Sequence, residues 1–152
     1  MKKFAYPAII KYDRGDKIYT VEFPDLPGCV TFGETLGEAK EKAREALSGY
    51  LASIFDRGFK IPAPSKKIKG KNVYPVLPEA TVLVPIILRN SREELHLNQI
   101  ETAKRLGISY QSYQKLENPN KANPTLKTLE KVVKAFGKRL VMKLEDIKEH
   151  AA

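Results

Sequence analysis

The chain has 152 residues, enough for one ordinary domain or two small ones, and its 42% hydrophobic and 30% charged residues are typical of a soluble globular protein. Lys and Arg outnumber Asp and Glu by 27 to 18, and the resulting charge of +9 predicts a polyanionic partner, with nucleic acid favoured over a membrane. Cys29 is the only cysteine, which excludes an intramolecular disulfide and a thiolate zinc cluster. The N-terminus lacks the apolar stretch of a signal peptide, and residues 82–88, the most apolar run, fall far short of the roughly 20 residues that span a bilayer. We therefore expect a cytoplasmic protein without membrane contact.

Alternating apolar residues predict a β-hairpin at the start of the chain. Residues 4–12 alternate in one strand and residues 19–23 in the next, with the turn at residues 13–16. After a proline-bounded bend, residues 29–32 favour a third short strand. A fourth strand is expected within residues 72–84, where the prolines confine it to a short or edge piece.

An amphipathic helix is expected to cover this small sheet. Thr35 and Glu38 have the spacing of a capping box, and apolar residues recur at three- and four-residue steps from Leu36 to Ile54. Gly58 is placed to end the helix in a left-handed turn. Residues 1–80 are therefore predicted to form the first domain.

Residues 58–78 form a basic connection within this range. They contain five lysines and four prolines but no Asp or Glu. This composition favours either a solvated linker or a direct nucleic-acid contact.

Helix caps and stops predict four short helices in a second domain, residues 85–144. We expect the helices at residues 88–95, 98–106, 109–116 and 125–136. The residues that begin or end them are Asn98 with Glu101, Gly107, Ser109, Thr125 and Gly137.

A strand is expected after the last helix, because Leu140, Met142 and Leu144 alternate. An unpaired strand edge is prone to aggregate, so we expect it to pair with the same strand of a second copy and form a homodimer, with tetramers left open. Residues 145–152 are then a tail.

The second and third predicted helices resemble the helix-turn-helix of the Cro and phage-repressor type, often called the XRE family. The motif begins with Q-I-E-T-A at Gln99 to Ala103, continues with G-I-S at residues 107–109 and ends with L-E-N at residues 116–118. Ala103 is small where the helices cross, and Gly107 permits the tight turn. The resemblance covers residues 88–137.

This resemblance implies a set of DNA-contacting residues. Tyr110, Gln111 and Lys115 match the positions that point into the major groove, although Tyr110 is larger than the residues often found there. Gln111 suits adenine and Lys115 suits guanine. Phosphate contacts are expected from Gln99, which also braces the reading helix, and from Ser112 and Gln114. Tyr113 and Glu117 are expected to be structural.

The N-terminal domain resembles the HicB antitoxins of bacterial and archaeal toxin–antitoxin pairs. The resemblance depends on F-P-D-L-P-G-C at residues 23–29, on the Ala-rich helix that follows, and on I-P-A-P-S at residues 61–65. Together with the helix-turn-helix it covers nearly the whole chain. It implies an α+β protein: a small β-sheet with one packed helix, similar to a partial RNase H fold without a working nuclease site, followed by the all-α DNA-binding domain.

The same resemblance implies the function. Such antitoxins bind a small HicA toxin, an mRNA-cleaving ribonuclease, cover its catalytic histidine, and repress their own operon as dimers. Residues 1–57 carry nine basic and nine acidic side chains, so this part repels a basic toxin least. The candidate toxin contacts are the acidic residues Glu22, Asp25, Glu38, Glu41 and Glu45.

Two alternatives belong to other classes. A two-metal nuclease would need Asp13, Asp16, Glu22 and Asp25 to converge on cations about 4 Å apart, which their positions in turns do not favour. A stand-alone XRE-type regulator would instead use the N-terminal domain to sense a small ligand. We expect no enzyme activity, no cofactor and no metal, and Cys29 is expected to be buried and structural.

Overall fold

The computed structural model describes residues 2–147 of the chain. The chain divides into two compact units, the first ending at Glu79 and the second running from Ala80 to Asp146. In the described part of the chain, no helix is both long and apolar enough to cross a membrane.

The first unit is built on a four-stranded antiparallel sheet in the order β3-β2-β1-β4. The strands are β1 (Tyr6–Asp13), β2 (Ile18–Glu22), β3 (Val30–Gly33) and β4 (Val73–Val76). The hairpin turn occupies residues 14–17, one residue later than predicted. The expected fourth strand is present at the edge of the sheet, and its Pro75 lies opposite Pro7 of β1. An edge strand tolerates the missing N–H of Pro75.

Helix α1 (Leu36–Asp56) covers one face of this sheet. Its alanine and leucine stripe is fully buried, and Gly33 approaches so closely that a Cβ there would lie 2.4 Å from the backbone nitrogen of Ala39. Thr35 caps the helix as predicted, but the Glu38 carboxylate accepts from the N–H of Glu34 rather than from that of Thr35. Gly58 has the expected left-handed conformation, with φ +70°.

The basic connection is not a free linker but part of the first unit. The Tyr6 hydroxyl donates to the carbonyl oxygen of Pro62 at 2.6 Å, and the N–H of Ser65 donates to the Asp25 carboxylate at 2.8 Å. The N–H of Ile10 donates to the carbonyl oxygen of Asn72 at 2.9 Å. Residues of β1 and of the bend at residues 24–28 thus bind the backbone of residues 59–72, and the choice between a solvated connection and a nucleic-acid contact stays open.

The second unit consists of four helices, α2 (Ala80–Glu94), α3 (Gln99–Leu106), α4 (Tyr110–Leu116) and α5 (Leu126–Ala135). Helix α2 begins eight residues before the predicted start and contains Pro85. A proline in the first turns of a helix removes one backbone hydrogen bond, and the buried residues around it, Val82, Leu83 and Ile86, offset that loss.

The predicted caps of the second unit are confirmed. Asn98 and Glu101 form a complete capping box, Ser109 and Thr125 accept from the third helical N–H, and Gly107 and Gly137 have positive φ. The core residues are Leu88, Ala103, Leu106, Tyr113, Leu116, Val132 and Phe136. Leu126, the first residue of α5, is 57% exposed.

Residues 138–147 have no helix or strand assignment in the single chain. Met142 and Leu144 are exposed, Leu140 is half-buried, and the intervening Val141 is exposed as well. A strand that pairs only with a second copy has no ladder in one chain, so the dimer contact stays a prediction. Residues 148–152 of the predicted tail lie outside the described residues.

Candidate nucleic-acid interface

Helices α3 and α4 are joined by the short turn at Gly107 and present one polar surface. Helix α4 has only seven residues, and its Tyr113 and Leu116 point into the core. The other five, Tyr110, Gln111, Ser112, Gln114 and Lys115, are exposed. All the predicted contact residues of this helix thus lie on its outer surface.

Helix α4 is held by a carboxylate at its C-terminal end. Glu117 is fully buried and accepts four hydrogen bonds. Arg92 of α2 donates two of them, from Nε at 2.6 Å and from Nη2 at 3.0 Å, and the Tyr113 hydroxyl donates a third at 2.6 Å. This ion pair and its hydrogen bonds connect α2 to the end of the reading helix.

The fourth hydrogen bond to Glu117 comes from Gln99. Its side-chain amide donates to the Glu117 carboxylate at 2.9 Å, so the first residue of α3 is tied to the end of α4. A Gln99 side chain in this position is fixed relative to α4, as a bracing residue must be. Its predicted phosphate contact stays a prediction.

The network raises the pKa of two of its members. Hydrogen bonding to Glu117 raises the pKa of Arg92, and burial followed by hydrogen bonding to Glu117 raises the pKa of Tyr113. At neutral pH, Arg92 is therefore charged and Tyr113 is a neutral donor. No buried side-chain N or O atom in the described part of the chain lacks a hydrogen-bond partner.

The exposed side chains of α4 differ in whether they make hydrogen bonds within the protein. Gln114 donates to the Tyr110 hydroxyl at 3.3 Å, and the Ser112 hydroxyl accepts from that of Ser109 at 2.8 Å. Among the described residues, the side chains of Gln111 and Lys115 have no such intramolecular partner. These two are therefore the most available for base edges.

The sequence reasoning missed Arg92. It sits in the last turn of α2, among the charged residues Arg89, Glu93 and Glu94, where it looks like a solvated charge, yet it is 9% exposed. Its partner lies 25 residues away, so neither segment alone carries a signal for the pair.

The acidic candidates of the first unit do not form one surface. Val21 and Phe23 are buried under α1, so Glu22 between them points to the opposite face of the sheet, whereas Glu38, Glu41 and Glu45 lie on α1. Asp25 is occupied by the N–H of Ser65 and Glu45 by Lys42 at 3.4 Å. Of the acidic residues on α1, Glu41 is exposed and has no intramolecular hydrogen bond or ion pair in the described part.

The nuclease alternative has no metal site in the described part of the chain. Asp13 accepts from the N–H groups of Gly15 and Asp16 and so forms part of its own turn. No group of three or more His, Cys, Asp or Glu side chains within residues 2–147 is placed to hold a metal ion. Cys29 is 3% exposed, which confirms its predicted burial, and this burial raises the pKa of its thiol to about 11.

For the small-ligand alternative, the first unit offers an open cleft of about 360 Å³ beside β4. Ser65 and Lys69 are the only polar side chains that line it, among mostly apolar neighbours. This lining has none of the convergent polar groups that orient a small ligand.

Comparison with known proteins places both units. Residues 6–96 match a family described as "HicB_like antitoxin of bacterial toxin-antitoxin system", and residues 88–142 match the Helix-turn-helix family. Antitoxin HicB 1 of Photorhabdus laumondii is 30% identical over 146 residues, which cover 95% of this chain and 90% of that protein. Antitoxin HicB of Escherichia coli K12 is 31% identical, over 80% of this chain and 86% of that protein. A crystal structure of the N-terminal domain of Burkholderia pseudomallei antitoxin HicB is 25% identical, with a TM-score of 0.42, and covers 49% of this chain and 98% of that chain.

Proposed function

Because the chain belongs to the HicB-like antitoxin family of bacterial toxin–antitoxin systems, we propose that it neutralises a HicA-like, mRNA-cleaving toxin through its first unit and represses its own operon through its second. It acts by binding and not by catalysis. One observation supports the proposed DNA binding most strongly. Gln111 and Lys115 are exposed without an intramolecular partner among the described residues, and they lie on a short helix whose C-terminal end is held by hydrogen bonds to Glu117.

Sequence recognition by the second unit depends on this rigid backing. A bidentate contact from Gln111 to adenine or from Lys115 to guanine contributes about 1–3 kcal/mol of discrimination, provided that the side chain is presented in one position. The hydrogen bonds from Arg92, Tyr113 and Gln99 to Glu117 hold both ends of the motif and so supply that position. Ser112 and Gln114 then set the register through phosphates.

Two glutamines of the same helix give a matched test of this half. Gln111→Ala is expected to weaken binding to the DNA upstream of the gene by about 1–3 kcal/mol and to relax the preference at one base pair. Gln114→Ala is expected to weaken binding to all duplexes about equally, because phosphate contacts carry no sequence information. Equal effects of both variants on preferred and random duplexes would contradict the assignment.

Neutralisation by the first unit is proposed to work by covering the active site of the toxin. An RNA-cutting toxin carries positive charge to bind its substrate, and acidic side chains of the first unit would attract it. These acidic side chains lie on two possible contact faces, Glu22 on the open face of the sheet and Glu41 with Glu45 on α1. We favour the face on α1, because Glu41 and Glu45 are both exposed and lie one helical turn apart on the same side of the helix.

The toxin half is tested by ribonuclease inhibition with the purified product of the neighbouring reading frame. We expect one chain of this protein to abolish RNA cleavage by one toxin, Glu41→Lys with Glu45→Lys to weaken inhibition by charge reversal, and Glu22→Lys to leave it unchanged. Loss of inhibition only with Glu22→Lys would transfer the contact to the sheet face. Failure of the unmodified chain to inhibit would contradict neutralisation itself.

We also propose that repression requires a homodimer formed through residues 138–144. Met142 is 68% and Leu144 96% exposed in the single chain, which is unusual for such large apolar side chains. Pairing of this segment with the same segment of a second copy would cover both side chains. It would also relate the α4 helices of the two copies by a two-fold axis.

A further inference from the structure

The exposed lysines of residues 60–71 have no part in the DNA and toxin contacts proposed above. We call residues 59–72 the docked segment. Its five lysines are all exposed, and among the described residues none of them has an ion-pair partner. These lysines are Lys60, Lys66, Lys67, Lys69 and Lys71.

The segment is held in place although it has almost no regular structure. Its hydrogen bonds to Tyr6, Asp25 and Ile10 span 56, 40 and 62 residues of chain and anchor its beginning, middle and end. Burial, with Asp25 nearby, raises the pKa of Tyr6 to about 12, so its hydroxyl remains a donor at any working pH. The lysines are therefore displayed on a fixed scaffold and do not hang from a flexible linker.

The segment carries no negative charge of its own, and the Asp25 carboxylate at Ser65 offsets only part of its positive charge. Residues 1–57 are balanced, whereas residues 58–78 hold five positive charges and no negative ones, more than half of the net +9. Like charges at this density repel one another, and an approaching polyanion removes that repulsion as it binds. A basic toxin would be repelled by the same surface.

The short connection to the second unit favours duplex DNA as the polyanion. Eight residues, 72–79, join Lys71 to the first residue of α2, so DNA held by the second unit is present at high local concentration around the segment. Lysine is a point charge suited to phosphate oxygens, and the docked segment has no run of aromatic side chains on which single-stranded bases would stack.

We propose that the lysines of the docked segment contact the phosphate backbone of the duplex bound by the second unit and add sequence-independent affinity. The antitoxin unit would then take part in DNA binding through one surface while it meets the toxin with another. The proposal depends on DNA binding by the second unit, as proposed above, but not on the identity of the operator or on the toxin.

The salt dependence of DNA binding tests this directly. The full chain and the variant Lys66→Gln/Lys67→Gln/Lys69→Gln/Lys71→Gln are titrated with a duplex of roughly 40 base pairs, upstream or random in sequence, between about 50 and 200 mM KCl. Each lysine that contacts a phosphate contributes about −0.9 to the slope of log K against log salt. Loss of three contacts would make the salt-induced loss of affinity about 40-fold smaller over this range.

Two matched variants separate contact from net charge. The control variant Lys11→Gln/Arg14→Gln/Lys17→Gln/Lys42→Gln also removes four positive charges, but from exposed positions of the hairpin and α1. We expect this variant to keep the slope of the unmodified chain. Replacing the four segment lysines by arginine is also expected to keep it. Circular dichroism checks that each variant is folded.

Several results would overturn the proposal. These are an unchanged slope in the segment variant, an equal decrease in the hairpin control, or a decrease for single-stranded RNA without one for duplex DNA, which would point to an RNA partner. If the unmodified chain bound upstream and random duplexes equally, operator-specific repression would fail, yet the slope comparison would still decide this proposal. The variant Gln111→Ala/Lys115→Ala is expected to lose sequence preference and to keep the contribution of the docked segment.

Discussion

The buried carboxylate of Glu117 joins three side chains of the second unit. Glu117→Leu removes the acceptor of four hydrogen bonds and leaves the Arg92 guanidinium, whose side chain is 10% exposed, with the exposed Glu93 carboxylate, 3.9 Å away, as its remaining counter-charge. Breaking a buried ion pair from one side costs about 3–5 kcal/mol. A unit of 67 residues holds only about 3–10 kcal/mol in total, at roughly 0.05–0.15 kcal/mol per residue. We therefore expect the second unit of this variant to be partly or wholly unfolded at ambient temperature.

The assay is urea denaturation with amide hydrogen exchange, which reports the two units separately in a protein that has no tryptophan. The control is Arg92→Met/Glu117→Leu, in which both charges are replaced by apolar groups. Since no charge is then left buried and unpaired, its stability is expected within about 1 kcal/mol of the unmodified chain, or above it. The double-mutant cycle gives the coupling between the two residues.

Two results would refute this reasoning. A loss of less than about 1 kcal/mol for Glu117→Leu would mean that water reaches Arg92 and that the pair is not desolvated. A double variant as unstable as the single one would assign the loss to packing of the leucine instead of the unpaired charge.

Three further predictions concern other parts of the chain. Gly33→Ala is expected to destabilise the first unit by about 1–3 kcal/mol in urea, since its Cβ would meet the Ala39 backbone at 2.4 Å, whereas Gly49→Ala, with no atom within 4 Å, should leave it unchanged or stabilise it by up to about 1 kcal/mol. Because burial raises the pKa of Cys29 to about 11, its reaction with a thiol reagent near pH 8 should be much slower in the native than in the unfolded chain, and its native rate should still rise above about pH 9; equal rates would contradict its burial. Met142→Glu/Leu144→Glu should convert a dimer to a monomer in sedimentation equilibrium while Val141→Glu does not, and a dimer that survives the double change would place the contact elsewhere.

Features with local causes could be predicted from the sequence. The caps at Asn98, Ser109 and Gly107 depend on residues within three or four positions, and the alternation that predicts β1 and β2 is equally local. The outward position of Gln111 and Lys115 follows from helix geometry once Tyr113 and Leu116 are assigned to the core.

Features that depend on residues far apart in the chain could not be predicted from the sequence. Arg92 and Glu117 are 25 residues apart, and nothing in either segment shows that the two side chains meet. The backbone of residues 59–72 looks like a linker because its partners, Tyr6 and Asp25, lie in strands and turns far upstream. Helix α2 was cut short in the prediction because Pro85 is a strong local stop signal, which burial of the surrounding residues overrides.

The central claim is that one chain carries two separable binding activities. It is tested most directly by measuring operator binding and rescue from the toxin in the same variant, Gln111→Ala/Lys115→Ala. Both residues lie on the exposed face of α4, so the fold should persist, operator binding should be lost, and co-expression should still restore growth in the presence of the toxin. Loss of rescue together with operator binding, or operator binding that survives the change, would contradict the division of function between the two units.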